Sequence, residues 1–338
     1  MKPFKATAVS PANIAFIKYW GRKKGTLDEE VIPANSSISM NIDNCYTKTT
    51  VEFSPEYEED EVWIKFFGKS YEKVSGSPLN RVLGQVNHFR ELNNCALKVK
   101  IMSENSFPSD AGIAASASGF SALTLALVGA FEMKLSLKEL SILTRLAGSG
   151  SACRSVIDGF AEWRKGHDSG SCYAVQLAPP EWWNLADLVT VVKNEKKEFS
   201  SLHGHALAHS SPFFNRRQHL LKKRIPLVRK AIKKRDFLAL GELIEEEATE
   251  MHLIAMSSHP PIFYWNKGTL EVIHFLKEIR KDNLFVFFTI DAGPNVHIIC
   301  QEKDMDKIDL EVKKLKNVLF TIKNKPCAGA RLIEKHLF

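Results

Sequence analysis

The stretch from Asn105 to Phe120, NSFPSDAGIAASASGF, constrains this chain more than any other. It follows an alternating run, Leu97, Val99 and Ile101, and leads into Phe120, Leu123, Leu127 and Val128 at helical spacing. A strand, a loop of small residues and a helix in that order bring backbone N–H groups close to a ligand. The helix aims its positive end at the same point, an arrangement that binds anions and above all phosphates. Neither the GxxxxGK[ST] loop nor the GxGxxG fingerprint is present. The alternative is a helix start packed tightly through small side chains, so the rest of the chain must decide.

At 338 residues the chain is long for one core, which predicts one bilobed unit or two domains. Its 44% apolar and 25% charged residues are ordinary for a globular protein, and a net charge of +7 suits acidic small molecules or nucleic acid. Six scattered cysteines without a CxxC pair predict reduced thiols rather than disulfides or a zinc site. Lys5, Pro11 and Lys18 interrupt the N-terminal segment, and no run of about 18 apolar residues occurs. The expectation is a cytoplasmic protein without signal peptide or membrane span.

Residues 4–53 read as several short strands, around Ile14 and Phe16, over Ile38 to Ile42 and over Thr47 to Phe53. A strand at Val62 to Phe67 and an amphipathic helix through Leu79, Val82, Val86 and Phe89 follow. Ser136 and Glu139 form a capping box that opens a helix through Leu146. Further strands are expected at Tyr173 to Leu177 and Leu188 to Val192, with a domain boundary near Pro179 to Asn184. Beyond it helices dominate, about 212–235, 236–254 and 269–281, before strands at Leu284 to Ile290 and Val296 to Cys300. A last helix and strand close an α+β chain, divided as 1–183 and 184–338.

Several clusters could carry chemistry. Lys18, Tyr19, Arg22 and their basic neighbours could clamp a polyphosphate at a strand end, or form an ordinary basic turn. Ser149, Ser151 and Arg154 offer hydroxyls and a guanidinium for a carboxylate or phosphate, or a small-residue packing site. The apolar run Leu284 to Ile290 ends on Asp291 beside a Gly-Pro turn, and a strand end delivers a carboxylate rigidly. His203, His205 and His209 lack nearby acidic or thiol ligands and read as a surface loop rather than a metal site. The basic run 216–235 invites a nucleic-acid reading. However, Leu221, Ile225, Val228 and Ile232 form a core-facing stripe within it, so its cations are expected on the solvated face, balanced by Glu242 to Glu250.

Taken together, NIAFIKYWGRK, PANSSISM, NSFPSDAGIAASASGF, GSGSACRSVIDGFAEW, PPIFYWN and TIDAGPN resemble the diphosphomevalonate decarboxylase family of the GHMP kinase superfamily, in the family's order from about residue 8 to at least residue 300. The resemblance implies a two-lobed GHMP kinase-like fold, with a ribosomal S5-type N-terminal lobe carrying the ATP-phosphate loop and a ferredoxin-like C-terminal lobe carrying the catalytic aspartate. It also implies a homodimer, ATP with Mg²⁺, and conversion of mevalonate 5-diphosphate to isopentenyl diphosphate, ADP, phosphate and CO₂ in isoprenoid synthesis, with neither membrane nor nucleic acid as partner.

By matching position, the resemblance makes Asp291 the catalytic carboxylate, with Lys18 beside it and Arg154 and Asn13 on the C1 carboxylate. Tyr19, Arg22, Ser149 and Ser151 face the substrate diphosphate, and Pro108, Ala111, Gly112, Ala114, Ala115, Ser116 and Ser118 belong to the ATP loop. Arg22, Ala115 and Ile290 stand where the family has lysine, serine and an aromatic residue. His205 falls where the family places a diphosphate-binding arginine. Rival activities are decarboxylation of mevalonate 5-phosphate, phosphorylation of the 3-hydroxyl alone, and nucleic-acid binding through 216–235.

Overall fold

Two long strands, β1 (Phe4–Ile17) and β2 (Ser37–Ser54), pair antiparallel and form the spine of the larger sheet. The computed structural model describes residues 4–27, 30–108, 113, 115–193 and 199–338. Where short strands are expected, each strand instead runs on through register shifts at Pro11/Ala12 and Ala15/Ile17. Pro11 has no N–H for the ladder, and such irregularities bend a strand without ending it.

The larger sheet has eight strands. β3 (Glu61–Lys65) pairs with β4 (Tyr71–Lys73) and lies parallel to β5 (Lys98–Asn105), which flanks the second half of β2. The first half of β2 pairs instead with β6 (Phe160–Trp163), an element the sequence reading lacks, and β6 pairs with β7 (Ala174–Ala178). Helices α1 (Gly76–Asn93), α2 (Ala115–Ala130), α3 (Leu137–Leu146) and the short α4 (Ala152–Ser155) share with this sheet a core of Val51, Phe53, Ile101, Leu123 and Leu127. The Ser136–Glu139 capping box is present.

β8 (Leu185–Val191) begins a second, four-stranded antiparallel sheet that also holds β9 (Phe287–Thr289), β10 (Val296–Gln301) and β11 (Phe320–Asn324), in the order β11-β8-β10-β9. Five helices accompany it: α5 (Ser201–Leu207), α6 (Phe214–Lys234), α7 (Phe237–Met256), α8 (Lys267–Ile279) and α9 (Met305–Val312). Period-2 alternation sends Ala186, Leu188 and Ile298 toward Val272 and Ile308. It sends Leu185, Val189 and Ile299 into one core with Ile14, Phe16, Ile38 and Met40 of the larger sheet. The two sheets are therefore welded by apolar burial. β12 (Arg331–Ile333) then returns to pair with β1, so the chain beyond β11 adds a strand to the larger sheet.

Residues 203–209, expected as a loop, begin with α5: Ser200 caps it by accepting from the His203 amide at 3.2 Å. On α6 the apolar stripe holds, with Leu221, Val228 and Ile232 buried. Not all of its cations are solvated, however. Arg217 and Arg224 are buried against the acidic face of α7, paired with Glu247 and, for Arg224, also Glu246 and Glu250. No helix among the described residues is long and apolar enough to cross a membrane, and all six cysteines are unpaired.

Candidate active site

β1 and β9 end side by side, and each hands one charged side chain to the same point. The Lys18 ammonium donates to Asp291 Oδ1 at 2.6 Å and to the Ala15 carbonyl at 2.7 Å. Lys18 is 2% exposed, whereas the Asp291 side chain keeps 20% of its surface open. Burial pulls the Lys18 ammonium below the ordinary lysine range and nearby Arg154 adds to this, while Asp291 and Glu247 oppose the shift. The turn after Asp291 is closed by the Gly293 amide on the Asp291 carbonyl at 2.7 Å.

Lys18 is held from behind as well. Its amide donates to Glu247 Oε1 at 3.1 Å, and its carbonyl accepts from Asn35 at 3.0 Å and from Arg217 at 3.1 Å. Glu247, fully buried, also binds Arg224 at 2.9 Å. The two arginines that look like surface charges in the sequence thus fix the backbone of the site lysine through a buried carboxylate. The His252 ring is buried against Tyr264 and Trp265; burial and the Lys18 charge lower its pKa to about 3, while Asp291 opposes the shift. It is neutral at physiological pH.

Arg154 lies across the cleft wall, buried and oriented by four contacts. Its Nε donates to Asn13 Oδ1 at 3.2 Å and to Ser39 Oγ at 2.9 Å, a terminal nitrogen reaches Asn13 at 3.0 Å, and the other bonds Ser37. Asn13 is in turn held by Ser155 at 2.8 Å. Ser37 and Ser39 lie within PANSSISM, and their period-2 spacing on β2 is the signal that puts both hydroxyls on one face.

Ser151, Ser149 and Ser116 form a hydroxyl chain, with separations of 3.3 Å and 3.2 Å, that leads to the first turn of α2. Ala115 and Ser116 sit there, and Ser116 is exposed. Pro108 is buried, while Ala111, Gly112 and Ala114 lie outside the described residues. Ser118 departs from expectation: it is wholly buried and bonds Thr47 at 2.7 Å and the Ala115 carbonyl at 3.2 Å, so it serves the core rather than the loop. Two positions, about 200° around the helix, separate the two faces.

On the other flank, His205 stacks on Tyr19 with ring centroids 3.9 Å apart, and its Nδ1 accepts from the Gly21 amide at 3.1 Å. That bond fixes the tautomer, leaving Nε2 as the protonated nitrogen. Tyr19 meets Trp163 edge-on at 4.7 Å and hydrogen-bonds Arg22; burial raises its phenol pKa and the guanidinium opposes this. His209 bonds the Arg22 carbonyl at 2.6 Å. Gly204 permits this packing, because a Cβ there would press into the Trp20 ring. Trp163, Glu247, His252 and the serines of β2 are the participants that motif reading passes over.

A buried cation–carboxylate pair, an arginine close enough for its charge to act on Lys18 and to feel Asp291, and a hydroxyl-lined helix start lie together near the ends of β1 and β9. The architecture is that of a GHMP kinase-like protein. A model of the diphosphomevalonate decarboxylase-like N-terminal domain matches residues 10–174, and one of the mevalonate 5-diphosphate decarboxylase C-terminal domain matches residues 187–328. The diphosphomevalonate decarboxylase of Candida albicans is 33% identical over 317 residues, covering 90% of this chain and 86% of the relative. Mevalonate diphosphate decarboxylase from Staphylococcus aureus superposes with a TM-score of 0.90 at 35% identity, covering 98% of this chain and 99% of that one. A structure of MDDEF in complex with MVAPP, AMPPCP and magnesium gives 0.88 at 34% identity, covering 99% and 100%. The chain belongs to the diphosphomevalonate decarboxylase family; it is an enzyme, a decarboxylase of the mevalonate pathway.

Proposed function

We propose that the cleft carries out ATP-dependent decarboxylation of mevalonate 5-diphosphate through phosphorylation of its 3-hydroxyl, with Asp291, Lys18 and Arg154 as the catalytic group. The observation that carries the assignment is the 2.6 Å Lys18–Asp291 pair, one partner sealed and the other open to the cleft. Asp291 accepts the 3-hydroxyl proton as the oxygen attacks the γ-phosphorus of ATP and ADP departs. The C3–O bond then breaks with its electron pair leaving on phosphate. The C1–C2 electrons close the C2–C3 double bond, releasing CO₂ and isopentenyl diphosphate. Asp291 faces the positive charge that builds at C3.

Lys18 offsets charge on the moving phosphoryl group. Arg154, fixed by Asn13, Ser37 and Ser39, holds the C1 carboxylate in a bidentate fork. Tyr19, Arg22, Ser149, Ser151 and His205 take the diphosphate end, His205 as an Nε2 donor. Among the described residues no three His, Cys, Asp or Glu side chains gather to hold a metal. This suits a Mg²⁺ that arrives on nucleotide phosphates with few protein ligands. The exposed Ser116 hydroxyl beside Ser149 would offer it an oxygen donor, and the bound ion would neutralise phosphate charge. The N-terminal turn of α2 holds the ATP phosphates, with amides compensating for Ala115. A cytoplasmic homodimer completes the proposal, and sedimentation velocity tests the dimer.

The deciding experiment supplies ATP with mevalonate, its 5-phosphate or its 5-diphosphate and follows CO₂ and ADP separately. ADP and CO₂ in equal amounts from the diphosphate alone are expected. ADP without CO₂ overturns the decarboxylation, and CO₂ only from the monophosphate reassigns the substrate.

A further inference from the structure

An open pocket of about 420 Å³ is lined by four cations, Lys23, Arg164, Lys165 and Arg229, against one carboxylate, Glu162. That carboxylate is already neutralised: Arg229 Nε donates to it at 2.7 Å and a second guanidinium nitrogen completes the fork. Lys23, Arg164 and Lys165 form no ion pair with the described residues, and Lys222 stands close enough for its charge to act on Lys165. Partial burial first, and then the charges of Lys23 and Lys222, hold the Lys165 ammonium below the ordinary lysine range. Asp168, next in the chain to the pocket residue His167, accepts the Ser171 amide at 2.8 Å. Cations crowded into a concavity without counter-charges focus a positive potential that an anion relieves.

The pocket has a built frame. Lys23 donates to the His167 carbonyl at 3.1 Å, and the Lys165 amide donates to the Ser36 hydroxyl at 3.0 Å. The flanking residues of Ser36 face the opposite way: Asn35 binds the Lys18 carbonyl and Ser37 binds Arg154. One short segment, residues 35–37, thus contributes both to the pocket and to the frame around Lys18 and Arg154.

We propose that this pocket is a second anion site that takes a diphosphate group, distinct from the catalytic cleft and independent of the reaction assigned there. The diphosphate could be free or carried on a small organic molecule, and the chemistry that recognises it is the same.

The test is calorimetric titration of the full chain at low ionic strength, with inorganic diphosphate in one arm and methyl diphosphate in another. The double variant Arg164→Glu, Lys165→Glu changes two exposed side chains outside the cleft. It is expected to lose at least tenfold in affinity for one binding event while keeping its thermal midpoint and its steady-state decarboxylation parameters. An event seen in both arms assigns the site to the shared group, and one seen with the inorganic ion alone assigns it to the free anion. Superimposable isotherms for wild type and variant in both arms overturn the proposal, whatever the decarboxylation assays return.

Discussion

Lys18 and Asp291 stand 273 positions apart in the chain and 2.6 Å apart in space, joined by an ion pair whose cation is sealed and whose carboxylate is not. A pair built this way gives the carboxylate a fixed position while leaving its second oxygen for substrate. Neither sheet could supply it alone, since Lys18 leaves β1 and Asp291 leaves β9. Their meeting depends on the apolar core that the two sheets share.

Replacing Asp291 by asparagine keeps the shape and a carbonyl oxygen for Lys18 but removes the proton acceptor. CO₂ release is expected to fall at least about a hundredfold, with nucleotide binding and the thermal midpoint retained. Wild-type turnover in Asp291→Asn would remove the carboxylate from the chemistry.

Glu247 bonds the Lys18 amide, Arg217 and Arg224 in a region with no access to water. Glu247→Ala strands the buried Arg217 guanidinium, whereas Arg224 keeps Glu246 and Glu250, and the loss costs on the order of 3–5 kcal/mol. Chemical denaturation should show that loss, and turnover should drop with it as the Lys18 backbone loses an acceptor. A variant as stable and active as wild type would show that the cluster positions nothing.

His252 titrates in the folded state near 3, well below its ordinary 6.5, mainly because it is buried. Below pH 6.5 the unfolded chain therefore binds a proton that the folded chain refuses, so stability falls as pH drops from 6.5 toward 3 and levels off below that. The full interval is worth on the order of 5 kcal/mol. His252→Gln removes the titration, and urea midpoints taken across this range should decline less steeply than in wild type. Parallel declines would mean that His252 contributes nothing to acid sensitivity.

At Gly204 an added methyl group meets the Trp20 ring and comes within 3.0 Å of the Tyr264 hydroxyl. Gly204→Ala must push α5 outward and lift His205 from Tyr19, at a stability cost of about 1–3 kcal/mol. The KM for mevalonate 5-diphosphate should rise about tenfold, with a smaller change in kcat. An unchanged KM would separate His205 from diphosphate recognition.

How far the sequence speaks depends on whether the physics is local. Strand periodicity, the Ser136 cap and the amphipathic α6 are decided within a few residues, and all are legible there. Asp291 is legible because an apolar run can end on a carboxylate only where something compensates it. Arg217 and Arg224 mislead because helical spacing reveals which positions are apolar, not which arginines a neighbouring helix will bury. Ser118 misleads because a run of alternating small residues does not say which turn the helix begins on. His205 and His252 draw their roles from rings and charges far along the chain, beyond any local pattern.

The pairing of β12 with β1 bears on how the polypeptide is made. Thr7, Ala8 and Val9 receive their outer partners only from Ile333, Leu332 and Arg331, and Thr7 is further tied to His336 at 2.7 Å. During synthesis the larger sheet must wait, with that edge uncovered, until residues 331–333 have left the ribosome, and an open edge invites pairing with other chains. A nascent polypeptide released at residue 183 would carry the first seven strands and the exposed edge, a combination suited to chaperone capture rather than to independent folding.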